Sequence, residues 1–204
     1  MRYLWLLIPL VMALLQLATG RYIFSALVSV SCAAVALVPG VDMGGLIMAA
    51  GLLVSVAGDA LLAHQAGHPN RFIEGVACFG AAHVIFAAYA ARRCAFSPLA
   101  AVLIAALAAL YALYLARRVL PGQPRPMKIA LGGYAAVSLA GLFFALSMTA
   151  PQPEYLLYAL GIAAIVFSDT MIAEAEFAKN PRVRWLILPT YYLCHILLAA
   201  SRLA

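Results

Sequence analysis

Four ionisable side chains stand inside long apolar stretches, and their types could support acid–base chemistry. Asp59 lies in one stretch and Asp169 in another far downstream, while His83 and His195 lie in two more. An ionised aspartate at mid-membrane costs about 2.5–3.5 kcal/mol, so such a group needs a compensating role. A carboxyl group can give or take a proton, and an imidazole can orient it or a water molecule. We interpret these residues as members of one polar site.

The composition shows what surrounds that site. Of the 204 residues, 67% are hydrophobic and only 10% are charged, which is too little charge to cover a soluble surface. Apolar runs of about 20 residues recur, the length that crosses a ~30 Å hydrocarbon layer as a helix. A transmembrane β-barrel is excluded because its strands would alternate apolar and polar residues. The sequence therefore predicts an all-α, polytopic transmembrane bundle, organised as a single domain over residues 1–204.

Charged, Gly and Pro residues divide the chain into about eight spans. Their predicted ranges are 3–19, 22–38, 43–63, 72–91, 98–116, 127–149, 154–178 and 185–201. Both termini then lie on the same side of the membrane. No separate soluble region is predicted, so any activity must lie within the bundle or its short loops.

The basic residues predict the orientation. With eight spans, one side receives most of them: Arg21, Arg71, Arg117, Arg118, Arg125, Lys128, Lys179, Arg182 and Arg184. The other side receives Arg2, Arg92, Arg93 and Arg202. Because cytoplasmic loops carry the excess of Lys and Arg, we expect a multi-pass cell-membrane protein with both termini outside. The net charge of +6 is explained by these loops, and no nucleic-acid partner is expected.

The two acids are predicted to lie at similar depth. Asp59 and Asp169 each stand about 15 to 17 residues into spans that enter from the same side, at ~1.5 Å per residue. This matched depth favours a shared cavity between the spans. The simpler alternative for each acid is a hydrogen bond between helices or a pairing with an arginine.

Other polar residues are candidates for substrate contacts. Tyr191 and Tyr192 precede His195 by about one helical turn and can face the same space. Tyr158 shares a helix face with Asp169, so its hydroxyl could orient a substrate oxygen. For each tyrosine, core packing or an interfacial position is an equally good explanation.

The loop on the basic side suggests a headgroup contact. Asn70 and Arg71, with Arg125 and Lys128, could bind a lipid phosphate, although charges that only set topology explain them as well. Glu174 is expected to be a solvated charge near the edge of its span.

The order of several short motifs resembles the YhhN family of membrane proteins, whose animal members include lysoplasmalogenase. The matching residues extend over roughly residues 45 to 201: Gly58, Asp59, Ala60, Leu61 and Leu62, then Phe72, Gly75, Phe79, Ala82, His83 and Tyr89, then Phe167, Ser168, Asp169 and Phe177, and finally Thr190, Tyr191 and Tyr192. Many members place Gln where His195 stands, so His195 is not carried over as a required catalyst.

The resemblance implies an eight-helix fold and hydrolysis of the vinyl-ether bond of lysoplasmalogens. The substrate would be a lysophospholipid of the bilayer, and the products a fatty aldehyde and a glycerophospho-headgroup. The reaction needs one acid that keeps its proton at neutral pH and one carboxylate that activates water. Asp59 and Asp169 fit these roles in either order, with His83 orienting one of them. On this hypothesis, changing either aspartate to Asn abolishes turnover without unfolding the protein. No cofactor is required.

Three alternatives stay open. A metal-dependent lipid hydrolase could use Asp59, Asp169, His83 and His195, although their spacing is not typical of a metal site. An intramembrane aspartyl protease also uses two membrane aspartates, but only Gly58 and Asp59 match its motif. A lipid or proton-coupled transporter could use the same buried acids as proton relays.

Overall fold

The structure, a computed structural model, describes residues 2–68, 70–149 and 152–204, which contain helices and no strands. Eight α-helices follow one another: α1 (Leu7–Thr19), α2 (Tyr22–Ala36), α3 (Met43–Ala63), α4 (Arg71–Ala91), α5 (Pro98–Tyr114), α6 (Arg125–Thr149), α7 (Leu156–Glu176) and α8 (Arg184–Ala200). Short 3₁₀ turns at Arg2–Leu6, Pro153–Tyr155 and Pro181–Val183 lead into α1, α7 and α8. The prediction of an all-α bundle of eight helices is confirmed.

Seven of the described helices, counted with the short helical turns that adjoin some of them, are long and apolar enough to cross a membrane. The exception is α2, whose 15 residues extend about 22 Å, less than a ~30 Å hydrocarbon core. The predicted second span reached residue 38, but the helix ends at Ala36 and a turn follows. Pro39 explains the early end, because the residue before a proline is disfavoured in the helical conformation.

Local sequence signals set several other helix ends. The Asp42 carboxylate accepts a hydrogen bond of 2.6 Å from the Gly45 N–H and so caps α3. Ser97 caps α5 in the same way through the Ala100 N–H, at 3.2 Å. After α1, Gly20 adopts a φ of 66°, a left-handed conformation that glycine takes without steric cost.

The tightest helix pairs are α3 with α4 and α7 with α8, and the two are built alike. Gly51 of α3 faces Phe86 of α4 so closely that a Cβ atom there would lie 2.3 Å from the ring. Gly161 of α7 faces Leu198 of α8, with 3.1 Å between a hypothetical Cβ and that side chain. Gly51 precedes Asp59 by as many residues as Gly161 precedes Asp169. The α7–α8 pair thus repeats the α3–α4 pair in the same direction along the chain.

Helices α1 and α5 lie at the periphery and turn apolar side chains outwards. The most exposed on α5 are Leu99, Val102 and Leu110, each at least 66% exposed. A soluble protein would not present such faces, whereas hydrocarbon chains solvate them. These surfaces are where the bundle meets lipid.

Contacts between helix ends define two faces of the bundle. The Phe72 and Phe177 rings, at the start of α4 and just after α7, lie 6.0 Å apart on what we call the basic face. It includes the α3–α4, α5–α6 and α7–α8 connections. On the opposite face Arg202, which follows α8, donates a 2.7 Å hydrogen bond to Asp42 in the α2–α3 connection. Successive helices therefore cross between the two faces.

Candidate functional site

Asp169 is held by side chains from two neighbouring helices. Its Oδ2 atom lies 2.7 Å from Nε2 of His83 on α4 and accepts a 2.9 Å hydrogen bond from the Tyr134 hydroxyl on α6. The His83 side chain is 1% exposed and that of Asp169 is 13% exposed. Both bonds end on Oδ2, so Oδ1 is the oxygen left for another molecule. This is the arrangement of an oriented acid rather than of a saturated helix contact.

Asp169 and Tyr134 line a narrow apolar pocket in the half of the bundle nearer the basic face. About 560 Å³ of space not filled by atoms lies between side chains of α3 to α7 and the turns that follow α5 and α7. The lining residues are Leu62, Phe72, Val76, Phe79, Tyr111, Leu115, Leu131, Tyr134, Ala135, Asp169, Ile172, Ala173 and Phe177. Part of that space is open to the surroundings of the bundle, and the apolar lining suits an alkyl chain.

The pocket extends from the basic face towards the bundle centre. Phe72 and Phe177 stand at its outer level, where α4 begins and α7 has ended. Asp169 is two helical turns further in along α7, about 12 Å from Phe177 at 1.5 Å per residue. An elongated molecule in the pocket would therefore meet the carboxyl group at the inner end.

Asp59 belongs to a different network. Its Oδ2 atom accepts hydrogen bonds from the Tyr191 hydroxyl on α8, at 3.0 Å, and from the Ser25 hydroxyl on α2, at 3.3 Å. Tyr191 in turn packs edge-on against His195, with 4.2 Å between ring centroids. Tyr191 and His195 thus lie together near Asp59.

We expected both acids to line one cavity, but in the structure only Asp169 lines the pocket. Asp59 is absent from the residues that line the pocket. The Phe79 ring stands between, since it lines the pocket, packs at 5.8 Å against Tyr191 and closely faces Gly58. Matched depth along two helices fixes height in the membrane but not the direction in which a side chain points. Phe79 is the wall that separates the two acids.

The repeat of the helix pairs explains why two similar networks exist. Phe79 precedes His83 by one helical turn, as Tyr191 precedes His195. Asp169 on α7 is bonded by His83 of α4 and by Tyr134 of α6. Asp59 on α3 is bonded by Tyr191 of α8 and by Ser25 of α2. In the second network the Tyr191 hydroxyl, rather than His195, bonds the acid, and both ring nitrogens of His195 are buried without a hydrogen-bond partner among the described residues.

Two other predicted substrate contacts lie outside the pocket lining. The Tyr158 hydroxyl donates a 2.6 Å hydrogen bond to the Phe86 carbonyl, and its ring packs against Tyr89 at 5.1 Å. Tyr192 is 2% exposed, and its hydroxyl is buried without a hydrogen-bond partner among the described residues. Tyr158 lies more than two helical turns from Asp169 along α7, so the shared face does not bring them to one ligand.

The predicted headgroup residues lie at the basic face. Asn70 is exposed at the start of α4, and its neighbour Arg71 donates a 2.6 Å hydrogen bond to the His64 carbonyl at the end of α3. This bond joins the two ends of the α3–α4 connection. A role in phosphate binding stays a prediction.

The prediction for Glu174 is wrong, because that carboxylate is buried. Its oxygens accept hydrogen bonds from Arg118 at 2.7 Å, Tyr114 at 3.0 Å and Asn180 at 3.1 Å. Arg118 lies in a π-helical turn, Leu115–Val119, which continues α5 beyond its predicted end. The cluster joins the end of α5 to the end of α7 beside the pocket.

Sequence reasoning missed Tyr134, Ser25 and Phe79 as members of the site. Ser25 and Tyr134 precede their acids by 34 and 35 residues, a near-equal spacing that a search for internal repeats detects. Within the described residues, no group of three His, Cys, Asp or Glu residues is arranged to hold a metal ion.

Comparison with known proteins identifies the family of this chain. A model of the YhhN family matches residues 20–202, which include both acid networks and the whole pocket. No curated protein and no solved structure matches the chain. Because the family model covers most of its length, the chain is a member of the YhhN family.

Proposed function

We propose that the protein is a membrane lysoplasmalogenase-like hydrolase that cleaves the vinyl-ether bond of lysoplasmalogens. The products are a fatty aldehyde and a glycerophospho-headgroup. Membership of the YhhN family is compatible with this activity. The observation that carries the proposal is the Asp169 carboxyl group, oriented by His83 and Tyr134 at the inner end of an apolar pocket.

The pocket favours a single-chain lipid with a reactive group close to its head. Arg71, the chain neighbour of Phe72, supplies a cation at the basic face near the outer level of the pocket, and the lining beyond is apolar. A headgroup held at that face leaves the adjoining ether linkage to enter as far as Asp169. The outward-facing apolar side chains of α1 and α5 support a location in the bilayer, where such a substrate would reside.

Asp169 would act first as an acid and then as a base. Its protonated Oδ1 gives the proton to the vinyl carbon next to the ether carbon, which leaves an oxocarbenium ion beside the new carboxylate. Water adds to the cation and returns a proton to Asp169, forming a hemiacetal. Collapse of the hemiacetal transfers its hydroxyl proton to the leaving glycerol oxygen and yields the aldehyde. The carboxyl group thus ends as it began.

His83 and Tyr134 are positioning residues in this mechanism. Both hold Oδ2, and they thereby direct Oδ1 towards the pocket. His83 also adjusts to either state of the acid, since an imidazole nitrogen can accept a proton or donate one. Asp59 lies on the other side of Phe79 and does not contact the substrate in this mechanism. It holds Tyr191, against which the Phe79 ring packs.

A lipid or proton-coupled transporter is the alternative. The repeated helix pairs favour it, because internal repeats with acids near their interface are typical of transporters. The two functions differ in what purified protein does in detergent, where no compartments exist. A hydrolase releases aldehyde there and a transporter does not.

The test is aldehyde release from a lysoplasmalogen in D₂O. Proton transfer to carbon predicts one deuterium on the aldehyde carbon next to the carbonyl, read as a mass shift. A control incubates unlabelled aldehyde under the same conditions to measure exchange after release. The matched alkyl-ether lipid, which has no double bond to protonate, should stay intact. Release without deuterium, or cleavage of the alkyl ether, would contradict the mechanism.

A further inference from the structure

The arginines on the opposite face gather at one place. Of the four predicted for that side, Arg92, Arg93 and Arg202 lie around the start of α3, and only Arg2 lies elsewhere. On the predicted orientation the positive-inside rule does not account for the group, because it assigns the excess of basic residues to the other face. Three guanidinium groups around one helix end need a local reason.

A glycine lets two of these groups approach the first turn of α3. A Cβ atom on Gly44 would lie 2.5 Å from Nη2 of Arg93 and 3.2 Å from Nη1 of Arg202. Any other residue would push the Arg93 side chain away. The two guanidinium groups therefore face the same point of the backbone, beside the positive end of the α3 dipole.

Both groups are oriented before any ligand arrives. Arg93 donates a 3.2 Å hydrogen bond to the Tyr89 carbonyl and lies 4.1 Å above the centroid of the Tyr89 ring. Arg202 is only 12% exposed and is held by Asp42 at 2.7 Å. Among the described residues Arg93 has no carboxylate within 4 Å. Three arginines facing one acid leave an excess of positive charge.

A pocket lies against this group. Met43, Gly44, Ile47, Arg92 and Arg93 surround about 480 Å³ of space that is partly open to solvent. Asp42 caps the Gly45 N–H of that turn, and the N–H groups that precede it have no intrahelical partner and add positive potential beside the pocket. Met43 is 60% exposed and apolar, and it extends the pocket wall towards the lipid phase.

We propose that this pocket binds a phosphate anion on the opposite face of the membrane. Arg92 and Arg93 would contact its oxygens, while Arg202 and the α3 N-terminus add positive charge behind them. Guanidinium groups match phosphate oxygens in bidentate geometry. The anion is either the phosphodiester of an acidic lipid in that leaflet or free phosphate. The site is separate from the Asp169 pocket and does not depend on the proposed reaction.

The experiment measures binding of phosphatidylglycerol to the purified full-length protein by native mass spectrometry, with phosphatidylcholine as the zwitterionic comparison. Arg93→Gln removes one charge, and Gly44→Ala keeps every charge while displacing the Arg93 guanidinium. Each variant should weaken phosphatidylglycerol binding about fivefold, since one basic residue near an anionic surface contributes about 1 kcal/mol. Arg2→Gln is the matched control and should bind like wild type.

Competition with inorganic phosphate separates the two sources. Displacement of the lipid by millimolar phosphate assigns the site to the free anion, and retention assigns it to the lipid headgroup. Wild-type binding by both Arg93→Gln and Gly44→Ala would overturn the proposal. So would an equal loss in Arg2→Gln, or equal binding of phosphatidylcholine. Thermal unfolding of each variant checks the fold, and aldehyde release should be unchanged in Arg93→Gln.

Discussion

Replacing each acid separately tests which carboxyl group meets the substrate. Asp169→Asn keeps an oxygen that can accept the Tyr134 hydrogen bond at 2.9 Å, but an amide cannot protonate carbon. General-acid catalysis contributes about 10²–10⁴-fold, or about 2.7–5.4 kcal/mol of barrier. We therefore expect turnover at least 100-fold below wild type. The loss should appear in kcat rather than in KM, because Asn has nearly the shape of Asp and the apolar part of the lining is unchanged.

Asp59→Asn is the matched control, since both acids are held through Oδ2 by one tyrosine and a second side chain. Its amide oxygen can still accept from Tyr191, and Phe79 keeps it apart from the pocket. We expect less than a tenfold loss, under about 1.4 kcal/mol. Aldehyde release is measured for both variants, with thermal unfolding in the same detergent.

Two results would refute this reasoning. Turnover within tenfold of wild type in Asp169→Asn would remove that residue as the proton donor. An equal, large loss in Asp59→Asn with normal unfolding would restore the two-carboxylate mechanism expected from the sequence. In that case Phe79 would have to move during turnover so that both acids reach one substrate.

Three further predictions concern stability, each read from thermal unfolding in detergent. Gly51→Ala should destabilise the protein by about 1–3 kcal/mol, because the new Cβ would overlap the fully buried Phe86 ring. Gly161→Ala should destabilise it less, and equal effects would contradict this packing. Glu174→Ala should destabilise by about 1–2 kcal/mol through its lost hydrogen bonds, and an unchanged midpoint would contradict that role. At Asp42 the Gly45 N–H and then Arg202 hold the pKa of the carboxyl below its ordinary value of 3.8. The stabilisation that the ionised Asp42 contributes is present above pH 3.8 and disappears as the pH falls through the lower pKa of the folded state. Asp42→Asn should therefore remove this acid-dependent loss of stability, and an unchanged dependence of the unfolding midpoint on pH would contradict it.

The helices follow from the sequence to a large extent. Apolar runs of membrane length, divided by charged, Gly and Pro residues, predict eight helices and most of their ends. The end of α2 shows the limit, because its apolar run continues past the last helical residue. The start of α6 is another, since Arg125 is already helical although its charge suggests a loop.

Part of the candidate site also follows from the sequence. Residue type and position along a helix singled out Asp59, Asp169 and His83, because an ionisable group in an apolar run stands out without any structure. Depth also follows, since the rise per residue is fixed. The sequence alone thus determined a membrane bundle with two acids at similar height.

Only the tertiary structure decided which residues those acids meet. A hydrogen bond between helices depends on their rotation and neighbours, and these result from packing along their whole lengths, as at Gly51 and Gly161. That packing brings His83 within hydrogen-bond distance of Asp169 and Tyr191 within hydrogen-bond distance of Asp59. It also places the Phe79 ring between the two networks. The physical reason is that height along a helix is a local property, whereas the direction of a side chain towards another helix is a property of the assembled bundle.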